Sequence, residues 1–288
     1  MKKQPKSSMN FMIRLQKNKK DSIIETKKRR VGKLFASPIL LGFLIFYLYP
    51  FLVILRKSFT LGGGGKFFVG LENYKELLEN SLFRLATGNT LRYIAIGVPL
   101  LLLFSLFLAL LLYRATYGSK IIRLFFVFPM VVPVSAIVVI VQGILSNTSP
   151  DMIHLILLFL WKNVGYNMIL LFAGLAMIPR NYYENAQIDG ASGMQCFCHI
   201  TLPMLLPMLF LTFLVSMIDI FKSFREVLLL GGETPKDEIY MIQNFVNSSF
   251  ENLNFQQLCV AMMFICIIVF SMIGVVYAIY HAVQKKYN

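Results

Sequence analysis

The chain has 288 residues, 57% apolar and 15% charged, with a mean hydropathy of +0.67. Soluble domains carry roughly 45–50% apolar and about 25% charged residues, so the composition sets aside a soluble globular protein in favour of a membrane-embedded one. The formal charge of +14 argues for no nucleic-acid partner: much of it precedes the first apolar run, at Lys17, Lys19, Lys20, Lys27, Lys28, Arg29, Arg30 and Lys33, where it reads as a positive-inside signal and an anchor for anionic membrane lipids.

Residues 1–33 form this basic leader. Its apolar positions, Phe11-Met12-Ile13 and Ile23-Ile24, fit an interfacial helix or a disordered tail equally well. It does not read as a secretory signal, because the apolar run that follows is too long and no small-residue cleavage site comes after it. A spanning helix needs about 20 mostly apolar residues, and six runs qualify, near residues 37–55, 93–113, 124–145, 153–178, 205–221 and 258–281. Ser37-Pro38 is expected to open the first as cap and first-turn pair. The predicted fold is all-α and polytopic, with six transmembrane helices.

Basic residues set the orientation. The leader, the second-to-third connection (Arg114, Lys120, Arg123) and the tail (Lys285, Lys286) belong on the cytoplasmic side, so both termini are expected inside. The polar segment at about 179–203, between the fourth and fifth runs, then also falls inside.

Three short signals are weaker. Gly62-Gly63-Gly64-Gly65-Lys66 has Thr60 where a phosphate loop needs its first glycine and Phe67 where it needs Ser or Thr, so a flexible outer turn is expected and no cofactor or ATP site of the chain's own. Cys196-Phe197-Cys198-His199 lacks a second ligand pair nearby, so no metal is expected. Asn147-Thr148-Ser149 and Asn247-Ser248-Ser249 match the glycosylation sequon, a triplet common by chance. Three histidines, His154, His199 and His281, form no acid–base constellation, so an enzyme is not expected.

The polar segment carries the most specific pattern. Glu184-Asn185-Ala186, then Gly190, then Ile200-Thr201-Leu202-Pro203 resembles the coupling loop of ABC-importer permeases, E-A-A, three residues, G, nine residues, I-x-L-P, with Asn185 in place of an alanine. Other segments resemble the maltose-type sugar permeases within that family: Phe67 to Tyr74 their F-V-G-L-x-N-Y, Asn89-Thr90-Leu91 their N-T-L, Phe125 to Pro133 their F-x-x-P-x-x-x-P, Trp161 to Tyr166 their W-K-x-x-G-[FY], and Phe221-Lys222-Ser223-Phe224 the end of their fifth span. The resemblance runs from about Leu34 to the C-terminus. The connection at 146–151 is shorter than the family's, which usually carries an interfacial helix there.

The resemblance implies a type I importer permease fold over residues 34–288 in a bacterial or archaeal cell membrane. It implies as partners a second homologous permease, two ATP-binding cassette ATPases that hold the ATP, and an extracytoplasmic solute-binding protein. It makes Glu184, Asn185, Ala186, Asp189, Gly190, Ala191, Ile200, Leu202 and Pro203 the ATPase-coupling loop. Physically, Pro179 ends the fourth span, Asn181 is expected to cap a short helix through Ile188, Asp189-Gly190 to break it, and a second short helix to run through Cys198. Glu184 is the expected charged contact. Ionisable groups inside spans are costly, which singles out Lys162 and Asp219. With Tyr166, Asn167 and Ser216 they are expected on the substrate pathway, against the alternatives that Lys162 snorkels outward and Asp219 is structurally paired. An importer of another solute and a secondary transporter stay open as alternatives. The latter needs carboxylates within spans, where Asp219 is the one expected.

Overall fold

The computed structural model describes residues 31–61, 67–114, 119–145, 150–232 and 235–287. Residues 1–30 of the leader, the Gly62–Gly65 turn and the Asn147 sequon lie outside these residues, while residues 31–33 open α1. The chain divides into two units, Met1–Arg56 and Lys57–Asn288.

Helix α1 (Val31–Ser58) supplies the described part of the first unit and is long and apolar enough to cross a bilayer. It does not open at Ser37-Pro38 as expected. Pro38 has no N–H for the carbonyl of Leu34, and Ser37 Oγ donates to that carbonyl at 2.8 Å instead, so the helix passes through the proline unbroken.

In the second unit, an antiparallel ribbon pairs β1 (Thr60–Leu61) with β2 (Phe67–Phe68). Short helix α2 (Glu72–Glu79) leads into the long α3 (Ser81–Arg114). Then come α4 (Ser119–Val131), α5 (Val134–Leu145), α6 (Met152–Ala176), α7 (Arg180–Ile188) and α8 (Gly193–Cys196). A π-helical turn, Phe197–Thr201, joins α8 to α9 (Leu202–Lys222), and α10 (Phe224–Gly231), α11 (Ile242–Glu251) and α12 (Phe255–Tyr287) complete the chain. Among the described residues five helices can each span a membrane, six with one bent pair. The third apolar run is that pair. The run expected over 124–145 is not one continuous helix: α4 and α5 meet at 92° across Val132-Pro133, where proline removes a ladder donor and restricts its neighbour.

α3, α6 and α9 pack together around Ile94, Leu101, Leu155, Phe159, Phe213 and Met217. Toward the loop between α6 and α9, the core continues through Ala109, Met168, Leu171, Leu175 and Leu205. At the opposite end Leu77, Phe83, Ile242, Phe245 and Val260 form a separate cluster. Small residues let the spans approach, as is usual in membranes: a Cβ on Gly174 would lie 2.6 Å from Met208 Cγ.

Candidate functional site: a capped lug and a buried polar belt

The segment between α6 and α9 folds as a lug. Pro179, with φ −64° and ψ 135°, takes the position before α7 with no side-chain cap. Asn181, expected as the cap, lies inside the first turn, because the fixed φ of Pro179 both ends α6 and starts α7 at Arg180. The end of α7 follows from hydrogen bonding. Asp189 N–H donates to the Asn185 carbonyl at 3.0 Å, Gly190 N–H to Gln187 at 3.1 Å and Ala191 N–H to Ala186 at 2.8 Å. The last two bonds, with Gly190 at φ +79°, make a Schellman motif, in which glycine accepts the left-handed conformation that a Cβ opposes.

Ser192 then caps α8. Its Oγ accepts from Gln195 N–H at 3.4 Å while Gln195 Oε1 accepts from Ser192 N–H at 2.7 Å. Sequence reasoning passed over this capping box, although Ser192-Gly193-Met194-Gln195 carries its spacing. The second lug helix is not a separate helix through Cys198; residues 193–231 run as one long helical stretch. Leu202 and Pro203 are the first residues of α9, and Ile200 packs against the Leu171–Leu205 cluster. Tyr183 and Thr201 hydroxyls meet at 2.9 Å, tying α7 to the foot of α9. Glu184, Asn185, Asp189 and Gly190 are exposed, and Ala186 and Ala191 half-buried. Sequence reasoning also missed Ile188, 84% exposed at the tip, an apolar residue alone in a polar segment.

Inside the bundle, Asn167 Nδ2 donates to Ser216 Oγ at 3.1 Å, and both residues are fully buried. Ser216 Oγ in turn donates to the Thr212 carbonyl at 2.7 Å, and Asn167 Oδ1 has no partner. Tyr166 is half-buried. Asp219 pairs with Lys222 one turn along α9 at 3.1 Å. Lys162 does not snorkel outward; it reaches Glu226 Oε1 on α10 at 2.5 Å. Glu226 is therefore a second carboxylate in an apolar stretch, which corrects the expectation of Asp219 alone. Its signal was a lone acid in Phe224 to Leu230, just past the point where the fifth run was ended.

At the end opposite the lug, the sequence motifs have structural work. Asn73 Nδ2 donates to the carbonyls of Ser58 at 2.9 Å and Thr60 at 3.1 Å and pairs with Gln256, while Tyr74 OH donates to Ser58 Oγ at 2.7 Å. Asn89 Nδ2 donates to the carbonyls of Asp237 at 2.6 Å and Tyr240 at 3.0 Å, and Thr90 Oγ1 accepts from Ile242 N–H at 2.9 Å. These bonds seat the connection after α10 on α3.

Residues 83–288 match the family model described as "Binding-protein-dependent transport system inner membrane component". The "Probable ABC transporter permease protein YesP" of Bacillus subtilis (strain 168) is 31% identical over 255 residues, 77% of this chain and 82% of the relative. The "Arabinooligosaccharides transport system permease protein AraP" of the same organism is 34% identical over 224 residues, 69% of this chain and 71% of the relative. The "Trehalose/maltose transport system permease protein MalF" of Thermococcus litoralis is 29% identical over 245 residues, 76% of this chain and 82% of the relative. A bacterial alginate ABC transporter in complex with an alginate pentasaccharide-bound periplasmic protein has a chain of the same fold, with a TM-score of 0.74 at 19% identity over 91% of this chain and 97% of that one. By the extent of its family match and by these relatives, the chain belongs to the inner-membrane permease components of binding-protein-dependent transport systems.

Proposed function

We propose that this chain is one of two unlike permease subunits of an ATP-driven importer for a sugar or oligosaccharide, and that the 179–203 lug couples it to the ATPases. The observation that carries the reading is the Schellman-capped lug at the joined feet of α6 and α9, with Glu184, Ile188, Asp189 and Gly190 exposed. In this reading residues 1–33 are a cytoplasmic tail, residues 34–288 the permease domain, and both termini face the cytoplasm. Two ATPase subunits bind the ATP, a solute-binding protein delivers the solute on the other side, and the chain itself catalyses nothing. Closure of the ATPases draws the two permeases' lugs together. Because α8 runs into α9 and Tyr183 bonds Thr201, the lug transmits that displacement to the spans, which changes the side to which the cavity opens. Relatives named for arabinooligosaccharides and for trehalose/maltose support a saccharide. Tyr166, Asn167, Ser216 and Asp219 are the pathway residues of this reading.

The test is purification of the chain from its native membrane, with solute-stimulated ATP hydrolysis measured for the parent, Gly190→Asp and Glu184→Lys. The proposal expects both variants to insert and to lose the ATPase partner or its stimulation. Transport by the purified chain with no ATPase attached overturns it.

A further inference from the structure

Helix α10 is the last part of the helical stretch that begins at α8. Ser223, with φ −65° and ψ −4°, is a single irregular residue at which α9 runs on into α10, and Gly232 at φ +74° ends the helix. A Cβ on its last residue, Gly231, would lie 2.6 Å from Pro235 Cβ, so its end is seated against the next segment. Laterally, it packs on α5, itself the half-helix beyond the 92° bend, and Gln142 Nε2 on α5 donates to the Leu229 carbonyl at 3.3 Å. α5, beyond the bend, and α10, the end of the α8–α10 stretch, thus pack as a pair at the end opposite the lug.

One charged contact ties this pair to a complete span. Lys162 is the eleventh residue of the 25-residue α6, so about 15 Å of helix precedes it, which is half the thickness of a bilayer core. There its ammonium meets Glu226 of α10. Glu226 is 4% exposed. Tyr93 on α3 and Ser223 line one small cavity beside it. Glu226 Oε2 has no donor. A buried charge held by a single partner makes that partner obligatory, since losing it leaves the charge uncompensated in a low dielectric. The spare oxygen is acceptor capacity that this arrangement does not use, and a rearranged neighbourhood can fill it.

We propose that Lys162 and Glu226 are positioning residues forming a mid-membrane ionic joint, through which α6 carries the α5–α10 pair as one body when the transporter switches. The joint rests on the ATPase-coupled reading above. Its reporter is Leu229, 45% exposed on α10. Leu229→Cys is labelled with a maleimide in the transporter purified with its ATPase from native membrane, with and without Mg-ATP and vanadate, and the labelled peptide is resolved by mass. The joint expects trapping to change the labelling rate several-fold in the parent, to leave it unchanged in Glu226→Gln or Lys162→Met, and to change it again in Lys162→Glu with Glu226→Lys. Rescue by the exchanged pair separates a charge joint from a packing defect, and it decides the matter if a single variant fails to accumulate. Single variants that respond as the parent does overturn the joint, as does an exchanged pair that purifies at parental level with its ATPase yet stays unresponsive. A parent that does not respond to trapping removes the ATPase-coupled reading, and the joint with it.

Discussion

Gly165 of α6 lies against the backbone of Phe126 on α4, so close that a Cβ on it would fall 1.8 Å from the Phe126 carbonyl oxygen and 2.8 Å from Val127 N. No side-chain rotation relieves a clash with main-chain atoms. Overpacking of this kind costs about 1–3 kcal/mol or more. Gly165→Ala is expected to lower the thermal unfolding midpoint of the detergent-solubilised chain and its yield from membranes. Gly143→Ala is the control, because nothing lies within 4 Å of its added Cβ. Equal midpoints for the two variants would contradict the contact.

Asn89 joins α3 to the connection after α10 through two carbonyls, Asp237 at 2.6 Å and Tyr240 at 3.0 Å. It is 6% exposed, and its loss leaves both carbonyls to find other donors. Asn89→Ala is expected to cost about 1–3 kcal/mol locally and to raise the rate of limited proteolysis between 232 and 241 by about tenfold per 1.4 kcal/mol. Asn89→Asp removes the donor at constant size and is expected to do the same. Unchanged cleavage in both would show that the Thr90–Ile242 bond and the packing of Ile239 and Ile242 hold the segment without Asn89.

The spans were legible in the sequence because length and apolar content decide them, and the lug because glycine and proline fix its corners. Gly190 is the clear case, since its left-handed φ follows from a helix that must stop. Three features were not legible. The bend at Val132-Pro133 looks in sequence like any proline within a span, and only packing decides between a kink and a 92° break. Ser37 looked like a cap because Pro38 follows it at a first-turn position, whereas its hydroxyl serves the carbonyl that Pro38 leaves free. The partner of Lys162 lies 64 residues away, and no periodicity links α6 to α10.

Asp151 caps α6 with Oδ1, which accepts from Ile153 N–H at 3.0 Å and His154 N–H at 3.1 Å and meets His154 Nδ1 at 2.6 Å. The backbone N–H of His154 leads in holding its carboxyl below the usual carboxylate range; slight burial opposes, and the His154 ring and Ile153 N–H assist. A depressed pKa stabilises the fold above the ordinary value of 3.8, and that stabilisation is lost as pH falls through the depressed one. Asp151→Ala is expected to cost about 1 kcal/mol at neutral pH. The gap to the parent should persist through mildly acid pH and close only below the ordinary carboxylate range. A gap constant with pH would mean that the carboxylate's charge plays no part.

The lug separates shape from contact, and substitutions at two positions read them apart. At φ +79° an alanine in place of Gly190 carries about 1–2 kcal/mol of left-handed strain and weakens the bonds from Gly190 and Ala191 to the end of α7. Gly190→Ala is therefore expected to loosen ATPase binding by deforming the lug, and Gly190→Asn less so, since asparagine tolerates this conformation better. Ile188 is 84% exposed and bears on nothing within the chain that would collapse on its removal. Ile188→Ser should leave the unfolding midpoint of the isolated chain unchanged. If the ATPase buries this side chain, its loss removes about 1.5–3 kcal/mol of apolar transfer energy, which is tenfold or more in affinity. The measurement is ATPase retained on the immobilised chain at increasing wash volume, beside unfolding of the chain alone. Reduced retention at constant stability for Ile188→Ser, and reduced retention ranked alanine before asparagine at Gly190, would place the tip of α7 in the ATPase groove. Full retention in all three variants would move the contact off α7 and onto the exposed face of α8 around Met194.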